Sequence, residues 1–146
     1  MRLNHWRMKY NYRIQCTKDQ LKSIRAFVTR VLREHGVNDL VINELVLAVD
    51  EMCANLIIHS HQCNPNEFFD LHMRLDKGKG VTFEFIDKGE GFNITQYQEP
   101  TLEQVIKEKK KGGIGLILVR RIMDSIQFEQ KNNKTIYRLF KKVDLG

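Results

Sequence analysis

Residues 44–61 read ELVLAVDEMCANLIIHSH. Leu45, Val46, Leu47, Ala48, Val49, Met52, Cys53, Ala54, Leu56, Ile57 and Ile58 make this stretch apolar nearly all round, which predicts a largely buried helix. Asn38 or Asp39 would start it, and it would run to about Ser60, short of the breaker Asn64-Pro65-Asn66. Glu51, Asn55 and His59 recur every four residues and so share one stripe, drifting by about 40° per step. A buried carboxylate or amide is costly unless something pairs with it. The stripe therefore either faces a ligand, a metal or a wet cavity, or is the solvated face, a role for which Glu44 and Asp50 compete. An amide oxygen is a hard ligand that suits Mg²⁺, and a carboxylate one turn away can orient or deprotonate a hydroxyl.

On the N-terminal side, Lys9 to Cys16 alternates Tyr10, Tyr12 and Ile14 with polar neighbours, the pattern of a half-buried strand. Thr17 or Asp19 would cap a helix carrying Leu21, Ile24, Phe27, Val28, Val31 and Leu32 on one face, and Gly36 ends it. On the C-terminal side, strands are expected over Phe68 to Leu75 and Val81 to Ile86, joined through Lys77-Gly78-Lys79-Gly80. A glycine- and charge-rich loop from Asp87 to about Gly112 leads to a third helix, Ile114 to Asp124. The chain closes with a hairpin, Ile126 to Gln130 and Thr135 to Lys141, turning at Asn132-Asn133. The order β-α-α-β-β-loop-α-β-β predicts an α+β sandwich with helices on one face of a mostly antiparallel mixed sheet.

Two glycine-rich segments flank the long loop. Asp87-Lys88-Gly89-Glu90-Gly91-Phe92 follows directly on the strand ending at Ile86. A strand-end aspartate can accept a hydrogen bond from a planar amine such as that of adenine, and Gly89 and Gly91 let the backbone pass close to a flat ring. The same pattern also occurs in plain hairpin turns. Lys111-Gly112-Gly113-Ile114-Gly115 opens the third helix, where exposed N–H groups and the positive dipole end suit a phosphate, or simply cap the helix. Neither the Walker A pattern nor the strand-preceded dinucleotide fingerprint is present.

Composition narrows the classes. The 146 residues are 42% hydrophobic and 29% charged, which fits one globular domain over 1–146, and two prolines without a repeat suggest no linker. No apolar run reaches about 18 residues, and the basic start lacks an apolar h-region, so a cytoplasmic protein without a membrane span is expected. Cys16, Cys53 and Cys63 show no repeated short spacing and predict no disulfide framework. His59-Ser60-His61-Gln62-Cys63 lacks a second ligand cluster and reads as a polar helix end rather than a metal site. The charge of +6 would admit nucleic acid, but the basic residues are dispersed and lack interleaved aromatics, so direct nucleic-acid binding is not expected. A positive surface equally suits an acidic protein partner.

Taken in order, helix Glu51-x-x-x-Asn55, strand-end Asp87-x-Gly89-x-Gly91 and Gly113-x-Gly115 resemble the N box and the two glycine boxes of the GHKL ATPase superfamily. ELVLAVDEMCANLIIHSH together with the ending GGIGLILVRRIMDSIQFEQKNNKTIYRLFKK resembles the anti-sigma factor serine/threonine kinases of the RsbW and SpoIIAB type, over nearly the whole chain. The resemblance implies a Bergerat fold that binds ATP and Mg²⁺. It implies Glu51 as general base, Asn55 as Mg²⁺ ligand and Asp87 on the adenine amine, with Gly89, Gly91 and Phe92 beside the ring. Lys111, Gly112, Gly113, Ile114 and Gly115 would contact phosphates. Thr135 would support the adenine end unless it is an ordinary strand residue, and His59 would shape the site. A lysine stands where the family often has arginine beside the glycine pair, and lysine lacks arginine's bidentate fork. Implied partners are an anti-anti-sigma factor with a Ser/Thr acceptor and a sigma factor, with homodimerisation through the first strand and helix. Arg25 lies on the helix where the family meets partners, although a solvated arginine is the ordinary alternative. A non-catalytic, nucleotide-dependent binding module of the same fold would keep every site residue except the base.

Overall fold

The computed structural model describes residues 6–88 and 113–145, the side chains of 113–115 excepted. The order is β1 (Arg7–Gln15), α1 (Gln20–Glu34), α2 (Asp39–Ala54), a π-helical turn (Asn55–Ser60), β2 (Phe68–Asp76), β3 (Gly80–Lys88), α3 (Gly113–Ile122), β4 (Ser125–Lys131) and β5 (Lys134–Lys142). The strands form one sheet in the order β1-β2-β3-β5-β4, and all four ladders are antiparallel. This is the expected α+β layering.

Period-2 alternation builds the sheet's inner face. Phe69, Leu71, Met73 and Leu75 of β2 lie opposite Ile14, Tyr12, Tyr10 and Met8 of β1. The same four pair on the other side with Asp87, Phe85, Phe83 and Val81 of β3. Phe69, Phe83 and Phe85 are almost wholly buried, each contributing about 1.5–3 kcal/mol over an exposed ring. Asp87 is the one charged member of that row of β3, a carboxylate placed where the pattern calls for an apolar side chain.

Above this face, α2 packs against both α1 and α3. Its start is set by Asn38, in extended backbone, whose Oδ1 accepts the Val41 N–H at 2.9 Å. At the start of α1 neither expected cap operates. Asp19 is already helical (φ −66°, ψ −17°), which turns its side chain from the first-turn N–H groups, and the Thr17 hydroxyl donates to Asp19 instead. Gly36 (φ 76°) closes α1 in a Schellman pattern, with Val37 N–H on the Leu32 carbonyl and Gly36 N–H on Arg33. The expected all-round burial of α2 holds on one side only. Leu47 (40%) is exposed, while Ile42, Leu45, Ala48, Val49, Met52 and Cys53 form the buried side.

The hairpins follow their turn residues. Asn132 and Asn133 both adopt positive φ, 51° and 63°, as a type I′ turn requires. Between β2 and β3, Gly80 (φ 151°) lies so close to β5 that a Cβ there would sit 2.2 Å from the Lys141 carbonyl oxygen. A Cβ on Gly78 (φ 87°) would meet nothing within 4 Å. Gly80→Ala is therefore expected to destabilise the protein well beyond the roughly 1 kcal/mol of backbone strain expected of Gly78→Ala, as read from urea midpoints of the two variants.

Candidate functional site

The end of α2 and the end of β3 carry the polar groups that the core does not need. Glu51 is half-buried on the last turn of α2, and Asn55 is buried (7% exposed) where the α-helix becomes a π turn. The Asn55 Nδ2 donates to the Glu51 carbonyl at 2.7 Å. That contact orients the amide, since exchanging its ends would set two oxygens against each other. The Asn55 Oδ1 is then left buried without a hydrogen-bond partner among the described residues. A buried acceptor left unsatisfied costs about 1–3 kcal/mol, so the observation calls for a ligand. An oriented amide oxygen fits a hard divalent cation such as Mg²⁺.

The π turn corrects one expectation. Because its hydrogen bonds reach five residues back, as in His61 N–H to the Leu56 carbonyl at 3.0 Å, side chains beyond Asn55 leave the four-residue stripe. His59 is exposed. His61 takes the inward position, with Nε2 at 2.8 Å from Asp87 Oδ1 and Nδ1 at 2.6 Å from Glu67 Oε1. Its ring lies nearly parallel to that of Phe69, 13° between planes and 6.5 Å between centroids. The only sequence signal was a histidine in a cluster set aside as a polar helix end. Among the described residues no group of three or more His, Cys, Asp or Glu side chains is arranged to hold a metal ion.

Asp87, 7% exposed, pairs across the sheet with Phe69 and with Thr135, so Thr135 does stand next to it. The Thr135 hydroxyl donates to Gln130 Oε1 at 2.8 Å. A cleft of about 320 Å³ adjoins Asp87 and His61, with Arg13, Glu67 and Lys88 among its walls. Burial pushes the Cys16 thiol up to about 12, helped by Asp87 and Glu67, which keeps it neutral and poorly nucleophilic. Cys16, Cys53 and Cys63 are all free thiols. Arg25 pairs with Asp50 at 2.8 Å, tying α1 to α2 rather than standing fully solvated. Gly113, Ile114 and Gly115 lie in the first turn of α3. Gly89, Gly91, Phe92, Lys111 and Gly112 lie outside the described residues.

Helices layered on one face of an antiparallel sheet, with an acid-amide pair ending the middle helix and a buried aspartate ending a central strand, define a GHKL-type fold. The chain belongs to the histidine kinase-like ATPase domain family, whose model matches residues 14–141. It is 26% identical over 118 residues to the serine-protein kinase RsbW of Bacillus pumilus, covering 77% of this chain and 73% of that protein. It is 28% identical over 86 residues to the anti-sigma F factor of Halalkalibacterium halodurans, covering 58% of this chain and 57% of that one. The fold matches a crystal structure of RsbU and RsbW domains from Mycobacterium tuberculosis with a TM-score of 0.67 at 15% identity, over 93% of this chain and 32% of that one. Relatives and fold together support an RsbW-like member of the GHKL group.

The His61 environment makes a pH prediction. Burial alone would lower its pKa, but hydrogen bonds and charge from Glu67 and Asp87 outweigh it and raise the value above the ordinary 6.5. The folded state thus holds the proton more tightly than the unfolded chain. The stability this provides is fully present below about 6.5 and is lost as pH rises through the elevated folded value. The urea midpoint of the wild type should exceed that of His61→Gln by more at pH 6 than at pH 9.

Proposed function

We infer that this chain acts as a single-domain, ATP- and Mg²⁺-dependent serine/threonine protein kinase and anti-sigma regulatory factor. The observation that carries the reading is the buried Asn55 Oδ1, unpartnered among the described residues, on an amide oriented by the carbonyl of Glu51. Asn55 would hold Mg²⁺, which when bound neutralises phosphate charge. Asp87, with Thr135 beside it, would accept a hydrogen bond from the adenine amine, near Gly89, Gly91 and Phe92. Backbone N–H groups of Gly113, Ile114 and Gly115 at the start of α3, with Gly112 and Lys111 before them, would hold phosphate oxygens. Glu51, one turn from Asn55, would take the proton from the acceptor hydroxyl.

The printed names of the relatives, serine-protein kinase and anti-sigma F factor, support protein partners. For this chain these are an anti-anti-sigma factor bearing a Ser or Thr acceptor and a sigma factor. A cytoplasmic homodimer, binding neither membrane nor nucleic acid directly, completes the reading. No described helix is long and apolar enough to cross a membrane.

Titration calorimetry with ATP-Mg²⁺ and incubation with labelled ATP and candidate partners test these roles separately. Glu51→Ala should lower transfer at least about a hundredfold and leave ATP binding nearly intact. Normal transfer by that variant would remove Glu51 as the base. Asn55→Ala should abolish the Mg²⁺ dependence of ATP binding. ATP binding by the wild type without transfer to any partner would favour the non-catalytic module, and no binding heat at all would refute the nucleotide reading.

A further inference from the structure

Asp87 does not stand alone at the end of β3. The His61 Nε2 lies 2.8 Å from its Oδ1, and Glu67 holds the other ring nitrogen at 2.6 Å. These contacts come from two parts of the chain that the sequence leaves unlinked, the segment after the π turn and the last residue before β2. Phe69, directly opposite Asp87 in the ladder, lies nearly parallel to the imidazole. Asp87 is thus fixed by its own strand and by a ring whose orientation has two further constraints.

We propose that His61, clamped by Glu67 and backed by Phe69, is a positioning residue that aims the Asp87 carboxylate and so sets the preference for a base bearing an exocyclic amine. The proposal rests on the nucleotide reading above and deepens it. A carboxylate accepts about four hydrogen bonds, so a donor on Oδ1 leaves Asp87 able to accept from an amine. An aspartate that loses this contact gains freedom about its side-chain torsions, and a hydrogen bond aimed at a planar amine loses strength steeply when misaligned. Arg13 and Lys88 line the same cleft and supply positive charge. Because His61 acts through Asp87, its removal matters only for a ligand that uses Asp87.

The test compares ATP with purine riboside triphosphate, which lacks the 6-amino group, by titration calorimetry with Mg²⁺ on the full chain. Wild type should prefer ATP. His61→Ala should weaken ATP by about tenfold, the value of one well-aligned hydrogen bond to a charged group, and leave the analogue unchanged, so that discrimination collapses. His61→Gln, whose amide can still donate to Asp87, should restore most of the preference. Equal weakening of both ligands, or unchanged discrimination in a folded His61→Ala protein, would overturn the proposal while leaving nucleotide binding standing. Wild type that binds both ligands equally overturns it too, since Asp87 then reads no amine. Wild type that binds neither overturns the nucleotide reading itself. Should His61→Ala fail to fold, the wild type's His61 ring resonances decide the matter. They should shift on adding ATP and much less on adding the analogue, and equal shifts count against the proposal.

Discussion

A single hydrogen bond, Asn55 Nδ2 to the carbonyl of Glu51, organises the functional end of this fold. It lies where α2 gives way to the π turn, and it leaves the amide oxygen buried and, among the described residues, unpartnered. The wider turn that follows carries His59 outward and brings His61 to Asp87. A regular α-helix through the same residues would have kept His59 on the Glu51-Asn55 stripe. The local backbone departure therefore decides which histidine meets Asp87.

The scaffold that holds this arrangement is ordinary in its energetics. Three phenylalanines and the aliphatic residues of β2 and β3 support α2 from below, while α1 and α3 flank it. The core accepts a carboxylate at Asp87 because His61, itself held by Glu67 on its other ring nitrogen, gives it a hydrogen bond and compensating positive charge. On the opposite face of the sheet Arg138 bridges Glu84 at 2.7 Å and Glu129 at 3.0 Å across β3, β5 and β4, a solvated network unconnected with the site. Family membership agrees with this division. The fold is common to the histidine kinase-like ATPase domains, whereas the His61-Glu67 clamp was not part of the resemblance.

Much of this was legible from local pattern. Element order, the alternation of β2 and β3, the Asn38 start of α2, the Gly36 stop and the Asn132-Asn133 turn each depend on residues near one another in sequence. Asn55 and Asp87 could be singled out because each breaks an apolar pattern that otherwise continues. What failed had a common cause. The capping of α1 depended on the backbone angle at Asp19, and the exposure of Leu47 depended on which side of α2 the rest of the fold covers.

By itself, then, the sequence determined the α+β layering, the acid-amide stripe on the second helix and the strand-end carboxylate, since period, turn chemistry and spacing act over a few residues. Only the tertiary structure decided how those groups are wired. Asn55 is oriented by a backbone carbonyl one turn away, and Asp87 is held by a histidine 26 positions earlier in the chain. The first depends on side-chain rotamer and the second on a contact closed by the whole sheet, and neither leaves a periodic mark in the order of residues.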